Sequence, residues 1–337
     1  TYLGHGGVFY DPSVKAFAMF YTAGWRGGLA KAISRDAIRW EKSDLGLTTE
    51  NILLPRGRDR AGGDNSVWLD LEAGSPDQRI KFMTERSFGM SRTERAEINT
   101  THTLHTIDTK GRLSTAVPAG MAADYCSFFY NPFRKIWVYS IKRNGPNGRT
   151  RYYAESPEFL TPQAFDRSVF WVGADRLDEA DPMIGDMPQL YSLSAVAYES
   201  IVLGAFQIHL GPKNSVCELG GFPKITEIKL GFSRDGFHWE RPDRRAFIGA
   251  TRRIGDWDRG YVHTTTGVCV VVGDKLYFPY TAYSGIGPDG HLGMYTGASV
   301  GLAILRRDGF ASMDAGAETG ELTTRPVTFK GRHLFVN

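Results

Sequence analysis

Cysteine is scarce: three residues in 337, Cys126, Cys217 and Cys269, stand far apart with no CxxC spacing. An odd, dispersed set builds neither a zinc site nor a disulfide framework, and reads as buried free thiols. Long apolar runs are also missing, none reaching the ~18 residues that a membrane-spanning helix needs. Neither sign of charge is in excess: 40 Lys and Arg face 37 Asp and Glu, a formal net charge of +3, and the basic residues are scattered. Without a basic track to follow a phosphate backbone, nucleic acid is not an expected partner. No sustained i, i+3, i+4 apolar stripe runs through the chain, so helices should be few. There is no initiating Met and no signal peptide, and the first residues already lead into a strand. An upstream segment is therefore expected to be missing or removed.

What is present is a repeat. Ser34-Arg35-Asp36-Ala37-Ile38-Arg39-Trp40 returns almost verbatim as Ser233-Arg234-Asp235-Gly236-Phe237-His238-Trp239. A relaxed copy stands at Arg307-Asp308-Gly309-Phe310, with weaker echoes at Ile107-Asp108-Thr109-Lys110-Gly111 and Glu155-Ser156-Pro157-Glu158-Phe159. Five turns of one kind imply five copies of one unit, the mark of solenoids and propellers. Closed β repeats often run to this length as one domain, so a single domain over residues 1–337 is expected.

Each unit reads as short strands punctuated by turn residues. Unit one has Gly7–Pro12, Ala16–Tyr21, Leu29–Ile33 and Ile38–Glu41; later units repeat the scheme from Ser66, Ser127, Ser194 and Gly267. Asp11, Asp70, Asn131, Glu199 and Asp274 fall at equivalent places after first strands and read as hairpin-turn residues, although Asp11 and Glu199 look catalytic in isolation. The Ser-x-Asp turns read the same way, with Trp40 and Trp239 packing between neighbouring sheets. Five four-stranded antiparallel units close most simply into an all-β, five-bladed β-propeller.

In that geometry residues just before the first strands converge at one mouth of the central channel. Reading back gives His5, Asp64, Asp124, Asp186, and Asp258 with His263. Crowded carboxylates repel, some acquire raised pKa values, and a split between acid and base is how glycosidic bonds are cleaved. The plainer alternative is that these residues cap strand ends or bind water. The ends of second strands should rim the same funnel, adding Trp25, Glu85, Arg86, Arg143, Gln207, His209 and Tyr283. Aromatics beside charged groups suit a sugar, whose C–H face stacks on a ring while its hydroxyls take charged hydrogen bonds.

Val8-Phe9-Tyr10-Asp11-Pro12, the Ser233–Trp239 turn and Leu305–Phe310 resemble the five-bladed propeller superfamily of glycoside hydrolase families 32, 43, 62 and 68, most of all bacterial family-32-like proteins. The resemblance spans nearly the whole chain as architecture, through loose motifs. It implies a carboxylate at the start of blade one as nucleophile or base, an Asp starting blade three as transition-state stabiliser, and a Glu starting blade four as acid. Asp124 resembles the blade-three Asp in position. Asp186, in Asp186-Met187-Pro188-Gln189-Leu190-Tyr191, stands where family 32 has Glu-Cys-Pro-Asp-Leu-Phe. Tyr261-Val262-His263-Thr264 loosely resembles the family-43 segment whose His lies on the axis near a bound ion. Blade one departs from the pattern, with His5-Gly6-Gly7 in place of the family's Asn-Asp-Pro or Ala-Asp-Pro.

The leading expectation is a glycoside hydrolase, with furanosides among its candidate substrates. Asp64 and Asp124 are then base or nucleophile and stabiliser, and Asp186 or Glu85 the acid. The expected partner is an oligo- or polysaccharide, and the resemblance implies a secreted or periplasmic location. The alternatives are a non-catalytic sugar-binding propeller and a glycoside phosphorylase, the latter requiring a basic cluster in the funnel for which Arg86 and Arg143 are candidates. No cofactor is expected; a Ca²⁺ near His263 is the metal to consider, although no run of oxygen ligands at Ca-loop spacing supports it.

Overall fold

The computed structural model describes residues 2–24, 27–42, 51–54, 65–87, 100–328 and 331–333. They form five antiparallel sheets arranged as the blades of a propeller. Blade one comprises β1 (Tyr2–Asp11), β2 (Ala16–Ala23), β3 (Gly28–Ser34) and β4 (Glu41–Lys42), with β5 (Ile52–Leu54) also pairing with β3. Blade two comprises β6 (Ser66–Leu69), β7 (Ile80–Ser87), β8 (Thr100–Ile107) and β9 (Val117–Ala122). Blade three comprises β10 (Ser127–Asn131), β11 (Ile136–Gly145), β12 (Gly148–Ser156) and β13 (Val169–Val172).

Blade four holds β14 (Gln189–Tyr198), β15 (Ile201–Gly211) and β16 (Ile225–Ser233), with bridges Ile228–Ile248 and Phe232–Glu240 at its outer edge. In blade five the innermost strand is split into β17 (Gly260–His263) and β18 (Val270–Val272), both pairing with β19 (Lys275–Tyr283), which pairs in turn with β20 (Ala298–Arg306). Among the described residues the α-helical content is the seven-residue α1 (Asn214–Gly220), inserted between β15 and β16. Inner and second strands are packed on both faces, so their patterns are almost continuously buried: four of four residues in β6, and all but the first in β15.

The repeated turn closes the third strand of every blade, and its chemistry is local. Asp36 accepts the amides of Ile38 and Arg39 at 2.9 and 2.7 Å, and Asp235 those of Phe237 and His238, both at 2.8 Å. Asp108 and Ser156 take the same part in blades two and three. The aromatic that follows wedges between sheets. Trp239 lies 6.1 Å from Trp171 of blade three, Phe159 of blade three lies 5.9 Å from the Lys81 ammonium of blade two, and Phe310 of blade five lies 5.7 Å from Tyr198 of blade four. The Trp239 ring fits because position 204 is glycine; a Cβ there would stand 2.6 Å from it. Asp11 and Glu199 are turn residues as expected, Asp11 accepting the Ser13 amide at 3.0 Å and Glu199 sitting at φ 51° in the β14–β15 hairpin.

Hydroxyl side chains tie blade two to three, three to four, four to five and five to one. Ser66 of blade two donates to the Cys126 carbonyl before blade three at 2.7 Å, and Ser127 of blade three to the Leu193 carbonyl of blade four at 2.8 Å. Thr226 of blade four donates to the Val262 carbonyl of blade five at 2.6 Å, and Thr266 of blade five to the His5 carbonyl of blade one at 2.7 Å. Small hydroxyl residues thus satisfy buried carbonyls at each of these junctions and carry the ring closure that no disulfide supplies. Cys126, Cys217 and Cys269 are buried free thiols.

Candidate active site

Four buried tyrosines, Tyr125, Tyr191, Tyr261 and Tyr283, cluster at the axial end of blades three, four and five, with Tyr295 packed against them. At Tyr125 and Tyr261 the backbone takes the left-handed region, φ 62° and 49°. For a bulky residue that costs on the order of 1–2 kcal/mol, and strain of this kind collects at functional sites. The Tyr125 ring lies 3.8 Å from His5, 5.3 Å from Tyr191 and 5.1 Å from His263. Its hydroxyl hydrogen-bonds Nδ1 of His263, and the Tyr191 and Tyr261 hydroxyls share a 2.7 Å hydrogen bond.

The imidazoles are neutral at ordinary pH. Burial, followed by the Arg151 charge, pushes His5 down to about 3, and burial with Arg149 and Lys224 does the same to His209. Burial and Lys224 hold His263 well below its usual value. His5 is fixed by two 3.0 Å hydrogen bonds, Nδ1 to the Cys126 carbonyl and Nε2 with the Ser192 hydroxyl. Gln207, cross-strand from Ser192, is fully buried, and neither atom of its amide has a hydrogen-bond partner; the same holds for Nε2 of His263.

Among the described residues, Asp124 is the carboxylate paired with these cations. Its side chain remains 51% exposed while it pairs with the buried Lys142 ammonium. Burial raises its pKa, but Lys142, Arg149 and Lys224 outweigh that and hold it down at about 2. Among the described residues, cations surround this one acid where crowded acids were expected. Lys142, Arg149 and Lys224 stand 5.0, 5.5 and 5.1 Å from the centre of the Tyr191 ring. Lys142 and Arg151 are cross-strand neighbours on β11 and β12, and Arg149 shares their face by strand alternation. Lys224 arrives from blade four, just before β16. Its ammonium donates to Asn214 Oδ1 at 2.9 Å and lies 4.3 Å above Tyr261.

The structure brings together His5, Asp124, Gln207, His209, His263 and Tyr283 of the residues expected from sequence; Tyr283 lies 5.2 Å from Tyr261. Asp186 sits beside this group, its carboxylate against the Gly211 backbone at the end of β15, where it adds to the burial that raises the Cys217 thiol. Glu85 is cross-strand from His102 in blade two, and the His102 ring lies 5.8 Å from Phe165. Two expectations need correction. Arg143 does not rim the funnel: its guanidinium donates to the carbonyls of Met121 and Phe165 at 3.3 and 2.8 Å, tying the outer strand of blade two to blade three. Asp258 faces the flank of blade five, where it accepts from the Tyr280 hydroxyl at 3.5 Å, because the backbone at 258 precedes the point at which β17 reaches the axis. Trp25, Asp64 and the side chain of Arg86 lie outside the described residues.

The surroundings of His263 do not suit a calcium ion. Calcium takes six to eight oxygen ligands, carboxylates prominent among them, whereas His263 is enclosed by tyrosines and bears on Lys224. No group of three His, Cys, Asp or Glu able to hold a metal occurs among the described residues.

The residues missed from sequence are Tyr125, Tyr191, Tyr261, Lys142, Arg149, Arg151 and Lys224. A signal existed for the tyrosines, since each stands within two residues of a position already picked out or of a first-strand start. None existed for Lys224, which precedes a third strand and follows a helical insertion. A separate apolar groove of about 550 Å³ lies between blades one and five, lined by Val8, Met19, Trp40, Tyr277 and Leu302, away from Asp124.

No family model matches the sequence, and no curated protein matches it. Solved structures do match the fold. A thermostable family-43 glycoside hydrolase superposes with a TM-score of 0.59 at 11% identity, covering 90% of this chain and 88% of that one. An endo-1,4-β-xylanase from Bacteroides thetaiotaomicron gives 0.54 at 13% identity, covering 91% and 97%. The Cellvibrio cellulosa α-L-arabinanase complexed with arabinohexaose gives 0.50 at 11% identity, covering 91% and 92%. The chain has the five-bladed propeller fold of these glycoside hydrolases. Among the described residues, no helix is long and apolar enough to cross a membrane.

Proposed function

We propose that this protein cleaves a glycoside in the axial tyrosine pocket. The observation that carries this reading is Asp124, a half-exposed carboxylate kept ionised by surrounding cations beside the axial tyrosine cluster, just before blade three. With a pKa of about 2 it has no proton to give at neutral pH, so its role is to stabilise the positive charge that develops at the anomeric carbon. The tyrosines supply faces for sugar C–H groups, and the orphaned amide of Gln207 supplies donors and an acceptor for hydroxyls.

In hydrolysis the glycosidic C–O bond breaks, its oxygen takes a proton from a carboxylic acid, and water adds to the anomeric carbon. Asp186 is assigned as that acid, with Glu85 the alternative: it lies at the Gly211 end of β15, from which His209 faces the tyrosines. Asp64 remains the candidate for the second carboxylate. An oligosaccharide or polysaccharide substrate and a secreted or periplasmic location belong to the same proposal.

The test is Asp124→Asn, assayed on a panel of aryl glycosides that includes arabinofuranosides and xylosides, with oligosaccharide binding followed by calorimetry. The expected result is a loss of at least about 100-fold in kcat with binding retained. Unchanged turnover in the variant sinks the assignment. Tight glycan binding by a wild type that turns nothing over makes the protein a binding module.

A further inference from the structure

Among the described residues, the cations around Tyr191 have too little opposing charge. Lys142, Arg149 and Lys224 all lie within 5.5 Å of one ring centre, and Arg151 stands behind them on the same face of blade three. Lys142 is neutralised by Asp124. Arg149 spends its hydrogen bonds on the neutral amide of Gln189, at 2.8 Å, and Lys224 on that of Asn214. Arg151 is fully buried and donates Nη1 to the Tyr125 carbonyl at 2.9 Å, while Nε and Nη2 have no hydrogen-bond partner. Four cations thus face one carboxylate among the described residues. Tyrosine faces attract such charges individually but do nothing for their mutual repulsion.

We infer that Lys142, Arg149, Arg151 and Lys224 form a subsite for an oxyanion, a carboxylate or phosphate carried by the substrate or its co-substrate. An anion seated among them removes the repulsion and gives spare ammonium and guanidinium protons charge-assisted acceptors. Lys224 is the sensitive member: burial, Arg149 and Lys142 bring it down to about 7, so an anion also restores its proton.

The inference rests on the glycoside-cleaving reading and names its substrate class. Two sources share the chemistry. One is the carboxylate of a uronic acid unit. The other is inorganic phosphate acting in place of water: a phosphate oxygen bonds to the anomeric carbon as the glycosidic C–O bond breaks, and the leaving oxygen takes the proton from the acid. The products are then a sugar 1-phosphate and the shortened glycan.

The experiment titrates the full chain, in a buffer free of oxyanions, with inorganic phosphate against chloride at equal ionic strength, and with galacturonate against galactose. Binding is read by calorimetry and thermal shift for wild type, Arg149→Gln and Lys224→Met. Arg149 is partly exposed, so its variant guards against a folding failure at the buried Lys224. One oxyanion is expected to bind and its affinity to fall at least about tenfold in each variant. Phosphate-dependent release of sugar 1-phosphate identifies the phosphate source, and preference for galacturonate over galactose the uronate. Equal binding of oxyanions and their controls, or undiminished binding in both variants, refutes the subsite. Oxyanion binding without cleavage of any glycoside leaves the subsite standing and removes the glycosidase.

Discussion

Replacing Lys224 with Met should change how stability depends on pH. The Lys224 side chain is fully buried, and its folded-state pKa is about 7 against an ordinary 10.5. Its charged form is the one disfavoured by folding, so the penalty is complete below about pH 7 and is relieved as pH rises toward 10.5. At 1.36 kcal/mol for each tenfold shift in proton binding, moving from pH 6.5 to 9 relieves roughly 2.5 kcal/mol in the wild type. Met has no such penalty. It loses the Asn214 hydrogen bond and the contact with Tyr261, together about 1–3 kcal/mol at any pH. The groups facing Lys224 do not titrate in this window: Asp124 is held at about 2, His209 at about 3 and Cys217 at about 11. Urea denaturation of both proteins at pH 6.5 and 9, in oxyanion-free buffer, measures the difference directly. The stability of Lys224→Met relative to wild type should fall by roughly 2.5 kcal/mol between the two. An offset that is the same at both values refutes the account of Lys224 as a buried, partly deprotonated cation.

Asp178 is buried beneath Arg241, which grips it through both carboxylate oxygens, and it also meets Lys229 at 3.4 Å. Asp178→Ala strands those cations and should cost about 3–5 kcal/mol by denaturation. Burial raises the Asp178 pKa but Arg241 more than reverses it. Its contribution is therefore complete above the ordinary carboxylate range and lost as pH falls through the depressed value, so the variant should show a flatter acid limb. Ser127→Ala leaves the buried Leu193 carbonyl without its 2.8 Å partner and should lower stability by about 1–3 kcal/mol; no change would show that the axial hydroxyls do not hold the ring. Gly204→Ala pushes a methyl into the Trp239 ring and should cost about 1–3 kcal/mol, with a shift in tryptophan fluorescence reporting the displaced indole.

The blade count, the turn residues and the interblade tryptophans were legible in the sequence because each is a local matter. An Asp two residues before the amide it caps, or strands separated by a three-residue turn, are written within a few positions of one another, as at Ser34–Trp40 and Ser233–Trp239. Reading back from first strands also reached His5, Asp124 and His263, since alternation and chain direction determine which end of an inner strand meets the axis. The sign of the pocket was not legible. Of the acids that sequence reasoning gathered, Asp124 stands among cations, Asp186 lies against Gly211 at the margin of the pocket and Asp258 turns to a flank; Arg143 is spent on backbone carbonyls. Lys142, Arg149 and Lys224 meet around Tyr191 from a second strand, the start of a third, and the end of a helical insertion. Nothing in their spacing encodes that meeting. Coulombic balance depends on distances through space and on which charges are desolvated, and these exist only once blades three and four have packed together.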